Sequence, residues 1–331
     1  MKRGRWIHAV VIAILLCPRA LASQERSYPV IDVHLHAFQA DFLGPPPLSI
    51  CAPFERWVAF DPRAAPPEQP ALNPDSCREP LQSPGTDDEL MRRTLEELER
   101  LNVVGVLSGP LPVVERWKAA SPDRLLLPGL LFNVADAPTS EEFRELVRSG
   151  RVAVLGEVLN QYAGIAPNDS LFEPYLAIAE ELDIPVAIHL GPGPPGTAYR
   201  GTPAYRARFG SPLLLEDVLV RHPRLRIWAM HAGWPLIDEM IDVLYAHPQL
   251  RVDVGILSYG YPRAEFHAYL RRLVDAGFVD RILFGSDQMV WPDAIGRAIE
   301  GIESAEFLTE EQKRMILHDN AARFLRLEEE S

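Results

Sequence analysis

The sequence predicts a (β/α)8 TIM barrel, and three observations carry that prediction. Eight short aliphatic and β-branched runs recur along the chain, amphipathic helical stretches separate them, and the 331 residues suit one barrel with an insertion. Strict alternation of strand and helix implies a parallel sheet, because a parallel neighbour is reached only through a crossover. No second domain is expected within 23–331.

The first 22 residues stand apart. Lys2, Arg3 and Arg5 precede an apolar run from Ile7 to Leu16, which is too short to span a bilayer, and Ala20, Leu21 and Ala22 supply small residues for cleavage. This reads as a signal peptide over 1–22. Cys17 reads as a bystander, since Leu16 before it is too large for a lipoprotein site. The expected product is exported, to the periplasm or beyond, with no membrane contact after cleavage. Loss of Lys2, Arg3, Arg5 and Arg19 without any acid takes the net charge from −13 to −17. With no basic tract on so acidic a chain, nucleic acid is not an expected partner.

Strands are expected at 30–36, 103–108, 126–132, 152–158, 185–190, 226–231, 250–256 and 282–287. A capping box of Thr86 and Glu89 opens a helix that carries Leu90, Leu95, Leu98 and Leu101 at helical spacing. Further helices are expected over 168–182, 211–220 and 236–246. A second capping box, Thr309 with Gln312, opens the last one, which should end near Leu327.

Residues 43–84 break the pattern. They hold eleven prolines and too little periodicity for any regular element. A loop this long inside a compact domain is usually functional or disordered. It leaves the first strand on the face where barrels carry active sites, so it reads as a lid, with a floppy insertion as the alternative. Cys51 and Cys77 both lie in it and are the only cysteines after the leader. An even pair in an oxidising compartment is a disulfide candidate. Two free thiols remain the alternative, because a bond needs the Cα atoms within about 7 Å.

In 30–36 (VIDVHLH), period-2 alternation sends Ile31, Val33 and Leu35 to one side, toward the helices, and Asp32, His34 and His36 to the other. Two imidazoles at i and i+2 reach one cation, although such a pair alone is a weak signal. The pattern repeats at other strand ends: Glu157, His189, His231 and Asp287 each close a run. Strand C-termini converge in a parallel barrel, so six ligand-type side chains would share one pocket. The other histidines act as a control. His8 lies in the leader, His222 and His247 precede prolines, and His267 and His318 fall in helical stretches. They read as surface or capping residues.

These stretches resemble the amidohydrolase superfamily, specifically its amidohydrolase-related (amidohydrolase 2) branch. The resemblance rests on 31–36 (IDVHLH), 187–190 (AIHL), 230–235 (MHAGWP), 282–287 (ILFGSD) and 319–325 (DNAARFL), which occur in the family's order and span nearly all of the mature chain. It implies one or two divalent ions, usually zinc, at the barrel mouth. It implies His34, His36 and His189 as ligands, Asp287 as ligand and proton acceptor, and His231 as an acid or electrophile. One zinc ion is expected. Glu157 either bridges to a second ion or orients a ligand imidazole, and both readings stay open.

That chemistry is hydrolysis of an amide, ester or lactone of a small-molecule substrate by an activated water. The branch also holds metal-dependent decarboxylases, which would use the same site to release carbon dioxide. A non-catalytic barrel that keeps its metal as a relic is the reading from a different class. For substrate contacts the candidates are Tyr199, Arg200, Tyr205, Arg206 and Arg208 after His189, an aromatic wall of Trp234 and Trp291, and Asp253, which would bond a backbone or a substrate hydroxyl. Related barrels often pair, so a homodimer is an expectation from resemblance alone.

Overall fold

The computed structural model describes residues 26–57, 59, 61, 63, 77, 78 and 80–327. The signal-peptide reading, with Cys17 and His8, lies outside the described residues. Strand β1 (Val30–His36) is followed by β2 (Ser49–Cys51) and β3 (Pro80–Gln82), which pair antiparallel with each other. Then come β4 (Val103–Gly109), β5 (Leu125–Phe132), β6 (Val154–Val158), β7 (Val186–His189), β8 (Ile227–Met230), β9 (Leu250–Asp253) and β10 (Ile282–Leu283).

Strands β1 and β4 to β10 form one parallel sheet in sequence order, with crossovers between successive strands, as a (β/α)8 barrel requires. The seam between β10 and β1 is closed by hydrogen bonds from Val33 N–H to Phe284 O and from Asp287 N–H to His34 O, both 2.9 Å. Asp32 adds to that seam by accepting Ser286 N–H at 3.0 Å. The last three strands end earlier than the sequence predicts. Beyond them the chain turns out of the sheet at His231, Ala232, Ile256 and Asp287, all with positive φ, a conformation non-glycine residues seldom adopt.

The expected orientation of β1 needs correction. Ile31 and Val33 pack with Val106, Val154, Ala187, Trp228 and Leu283 inside the barrel, where Ala321, Phe324 and Leu325 of the last helix also reach. Val30 and Leu35 join the core formed with the helices. Leu35 parts from Ile31 and Val33 at an irregularity between Asp32 and Leu35, where three steps along β1 match two along β4. One extra residue reverses which face the next side chains point to.

The insertion is more ordered than its composition suggests, because β2 and β3 lie within it. Cys51 and Cys77 are bonded, with Cα atoms 5.7 Å apart. The Leu48 carbonyl accepts from Ser83 N–H and from the Trp291 indole, both near 2.9 Å. Phe54 N–H donates to Gly260 O at 2.9 Å. Trp57 meets Tyr261 at 4.9 Å between ring centroids. The described part of the insertion is therefore fastened to loops at the C-terminal ends of β9 and β10.

Thr86 caps the helix Asp87–Arg100 by accepting Glu89 N–H, but the Glu89 carboxylate takes Gly85 N–H, so only half of the expected box forms. Thr309 and Gln312 make both bonds of theirs. The helix begun there passes through one π-helical stretch, Met315–Asp319, and ends at Leu325. The other expected helices form at Glu173–Glu181, Glu216–Arg221 and Ile237–Ala246. Among the described residues no helix is long and apolar enough to cross a membrane.

Candidate metal centre

Each predicted strand-end residue is held by its backbone before its side chain meets the others. The Gln288 amide brackets His36, its oxygen accepting His36 N–H at 3.0 Å and its nitrogen donating to His36 O at 2.7 Å. Ser108 on β4 holds the start of the Glu157 peptide by accepting Glu157 N–H at 2.7 Å and donating to Gly156 O. His231 and Asp287 sit where the chain leaves the sheet, with φ of 57° and 54°. Such strained positions persist only where surrounding structure enforces them, and they gather at functional sites.

All six side chains are buried and meet at the barrel mouth. His36 Nε2 lies 3.0 Å from Asp287 Oδ1, and His34 Nε2 lies 3.7 Å from the same oxygen. Glu157 faces two ways. Its Oε2 is 3.5 Å from His36 Nε2 and 3.8 Å from His34 Nε2, while its Oε1 is 3.5 Å from His231 Nε2. The ligand atoms of His34, His36 and Asp287 lie within 4.8 Å of one another, and so do those of Glu157, His189 and His231. His189 thus falls in the second group, beside His231 at 4.7 Å between ring centroids, rather than in the first.

Asp253 lies beneath the centre, fully buried. Its Oδ2 is 3.1 Å from both His34 Nδ1 and the Trp228 indole nitrogen, and its Oδ1 accepts the backbone N–H groups of His231 and Gly255 at 3.0 and 2.8 Å. Four donors occupy its oxygens, so it serves backbone and ligand, with no role left for a substrate hydroxyl. Because a carboxylate only accepts, the Asp253 contact keeps a proton on His34 Nδ1 and leaves Nε2 to face Glu157 and Asp287. That buried Nε2 has no hydrogen-bond partner. A buried imidazole nitrogen with no partner, facing two carboxylates, is what a cation site offers, so these residues fit a divalent metal ion.

Electrostatics agree. Burial alone would lower the His34 imidazole, but the carboxylates of Asp253 and Asp287 outweigh it and hold it well above the usual histidine range, so they call for a positive charge at Nε2 that a proton or a cation in its place supplies. Burial opposes ionisation of Glu157 too, yet contacts with His231 and His34 keep it well below the usual carboxylate range. His189 is pushed down to about 3, first by burial and then by His231. The pocket therefore holds an ionised Glu157 against imidazoles and, at His189, a neutral ring able to ligate.

The substrate candidates separate. Tyr199, Arg206 and Arg208 are exposed. Arg206 donates to the carbonyls of Pro203 and Tyr205, both at 2.7 Å, and Arg208 lies over the Phe209 ring. Arg200 is half-buried. Tyr205 is buried and its hydroxyl accepts Gly193 N–H at 2.8 Å. Trp291 is fully buried against the insertion, so it belongs to the core and not to an aromatic wall. Trp234 packs on Tyr261 with centroids 4.6 Å apart. Among the described residues the control histidines His222, His247, His267 and His318 join none of the ligand groups. His222, read as a surface or capping residue, is instead buried between Glu173 and Glu180.

Sequence reasoning missed Ser108, Gln161, Tyr162 and Gln288. Gln161 and Tyr162 lie in the turn Asn160–Ala163 directly after β6 and both contact His189. Their position just past a strand's C-terminal end was the available signal.

A family model described as amidohydrolase matches residues 31–327. Among solved structures, the chain is similar to an uncharacterised TIM-barrel protein from Bordetella bronchiseptica, at 20% identity and a TM-score of 0.56, covering 72% of this chain and 90% of that one. It is similar to a probable 2-pyrone-4,6-dicarboxylic acid hydrolase from Acinetobacter baumannii at 17% identity and TM-score 0.55, over 90% and 99% of the two chains. A third is 5-carboxyvanillate decarboxylase from Novosphingobium aromaticivorans, complexed with manganese, at 12% identity and TM-score 0.53, over 71% and 79%. At these identities the likeness concerns the fold. A search of curated proteins found no match.

Proposed function

The chain belongs to the amidohydrolase family, and from that premise we propose that it is a metal-dependent hydrolase of an amide, ester or lactone. The observation that carries this reading is the divided attention of Glu157, with one oxygen toward His34 and His36 and the other toward His231. On this reading His34, His36 and Asp287 would hold one divalent cation and His189 and His231 a second, with Glu157 available to both. That moves His231 from the acid role expected from the sequence to a ligand role, which a metal count tests directly. Zinc suits the imidazole and carboxylate donors.

When bound, the cations supply Lewis acidity that polarises the carbonyl and acidifies the attacking water. Asp287 takes the water's proton on a carboxylate oxygen and returns it to the leaving group. Asp253 keeps His34 in the ligating tautomer, and Gln288 keeps His36 in place. The buried walls limit water around the charged groups and so strengthen their interactions.

We further propose that the insertion 43–84 is a lid and that the protein works outside the cytoplasm. The Cys51–Cys77 bond supports the second point, because such bonds persist mainly in oxidising compartments. The test is metal analysis of purified protein followed by a screen of lactones, esters, amides and carboxylates with a carbon dioxide detector. Two metal equivalents and hydrolysis without gas release support the proposal. Gas release would replace it with decarboxylation. His34→Ala combined with His36→Ala should lose at least one equivalent.

A further inference from the structure

The turn after β6 sends two neighbouring side chains to one imidazole. Gln161 Oε1 lies 2.9 Å from His189 Nδ1, and the Tyr162 hydroxyl lies 3.3 Å from His189 Nε2. The Gln161 amide nitrogen donates to Arg206 O at 3.4 Å, which orients its oxygen toward the ring. An amide oxygen only accepts, so Nδ1 carries the proton and Nε2 presents its lone pair to the Tyr162 O–H. The phenol is also confined. Its ring lies 5.0 Å from His189 and 5.5 Å from Tyr205 between centroids. A Cβ at Gly193 would come within 3.1 Å of the hydroxyl, so the backbone closes on Tyr162 only because residue 193 has no side chain.

One lone pair cannot serve a cation and an O–H together. We propose that Tyr162 is a catalytic residue whose hydroxyl is released from His189 when a cation takes Nε2, and which then donates a hydrogen bond to the oxygen of the substrate carbonyl. The proposal rests on the hydrolase reading and names a donor it leaves unassigned. Tyr162 is half-buried, and its hydroxyl is held beside the centre by its contact with His189 Nε2. In the step it serves, a water oxygen bonds to the carbonyl carbon and gives its proton to Asp287. The π pair moves onto the carbonyl oxygen, and the Tyr162 O–H stabilises that oxyanion without giving up its proton. Collapse re-forms the carbonyl, breaks the bond to the leaving group and passes it the proton from Asp287. Donors aimed at a developing oxyanion are among the largest contributors to catalysis of acyl transfer.

The test compares wild type with Tyr162→Phe by three measurements: zinc titration of metal-depleted protein by calorimetry, turnover of γ-butyrolactone, and calorimetric binding of methylphosphonate, a tetrahedral oxyanion mimic, to zinc-loaded protein. The variant should bind the same number of zinc ions at equal or slightly higher affinity, because a competitor for Nε2 is gone. Its kcat/KM should fall about 100-fold, and methylphosphonate should bind about tenfold more weakly. Zinc loss in the variant would make Tyr162 a support for His189 and overturn the proposal. Undiminished methylphosphonate binding, or no binding by wild type, would overturn it too. If wild type hydrolyses none of the lactone, ester and amide panel, the hydrolase reading fails, while the methylphosphonate comparison still decides the role of Tyr162.

Discussion

Asp253 Oδ2 lies 3.1 Å from His34 Nδ1, with both groups fully buried. This contact aims the His34 lone pair at the centre, and the same oxygen also meets the Trp228 indole. Asp253→Asn keeps the shape but offers one amide nitrogen where only acceptors fit. Metal affinity should fall about 10- to 100-fold, read by competition with a chromogenic chelator. Unchanged affinity would mean that the contact does not set the tautomer.

Asp287 Oδ1 approaches His36 Nε2 at 3.0 Å, and Asp287 is the assigned proton carrier. Asp287→Asn removes the base, so kcat should drop by about 10²- to 10⁴-fold. Metal content measured on the same sample separates lost chemistry from a lost ligand. Wild-type turnover in this variant would remove Asp287 from the proton path.

Glu180 accepts from Arg224 N–H at 2.9 Å and lies 3.2 Å from His222 Nδ1. Burial works against its charge, but the Arg224 N–H and His222 outweigh it and lower its pKa. A carboxylate depressed in the folded state adds stability above its unfolded value, near 4.5, and loses it as pH falls through the folded value. Glu180→Gln should therefore cost about 1 kcal/mol at pH 7, and the difference should shrink below pH ~4. Urea melts at the two pH values measure it, and an equal cost at both would refute the linkage.

The Cys51–Cys77 bond spans 26 residues. A loop of that size predicts about 3 kcal/mol of stabilisation from the restricted unfolded chain. Cys51→Ala combined with Cys77→Ala should lower the melting temperature by several degrees while leaving metal stoichiometry intact, because among the described residues none of the metal-centre groups lies in the insertion. Loss of metal in this variant would show that the insertion supports the site itself.

Much of the fold was legible because its signals are local. Aliphatic runs marked the eight barrel strands, Thr309 and Gln312 marked a helix start, and recurring His, Glu and Asp at strand ends marked the mouth. Other local signals misled. The eleven prolines of 43–84 hid β2 and β3, and His222 before a proline resembled a surface residue although two glutamates enclose it.

By itself the sequence determined a parallel barrel and the set of ligand-type side chains at its C-terminal end, since residue spacing encodes strand, helix and the end of each. Only the tertiary structure decided how those side chains divide. It put His189 with Glu157 and His231, turned Ile31 and Val33 inward, placed Asp253 under His34 and brought Tyr162 to His189. The physical reason is that distances across a barrel depend on strand tilt, stagger and local bulges. Those are set by packing around the whole sheet, and no short stretch of chain contains them.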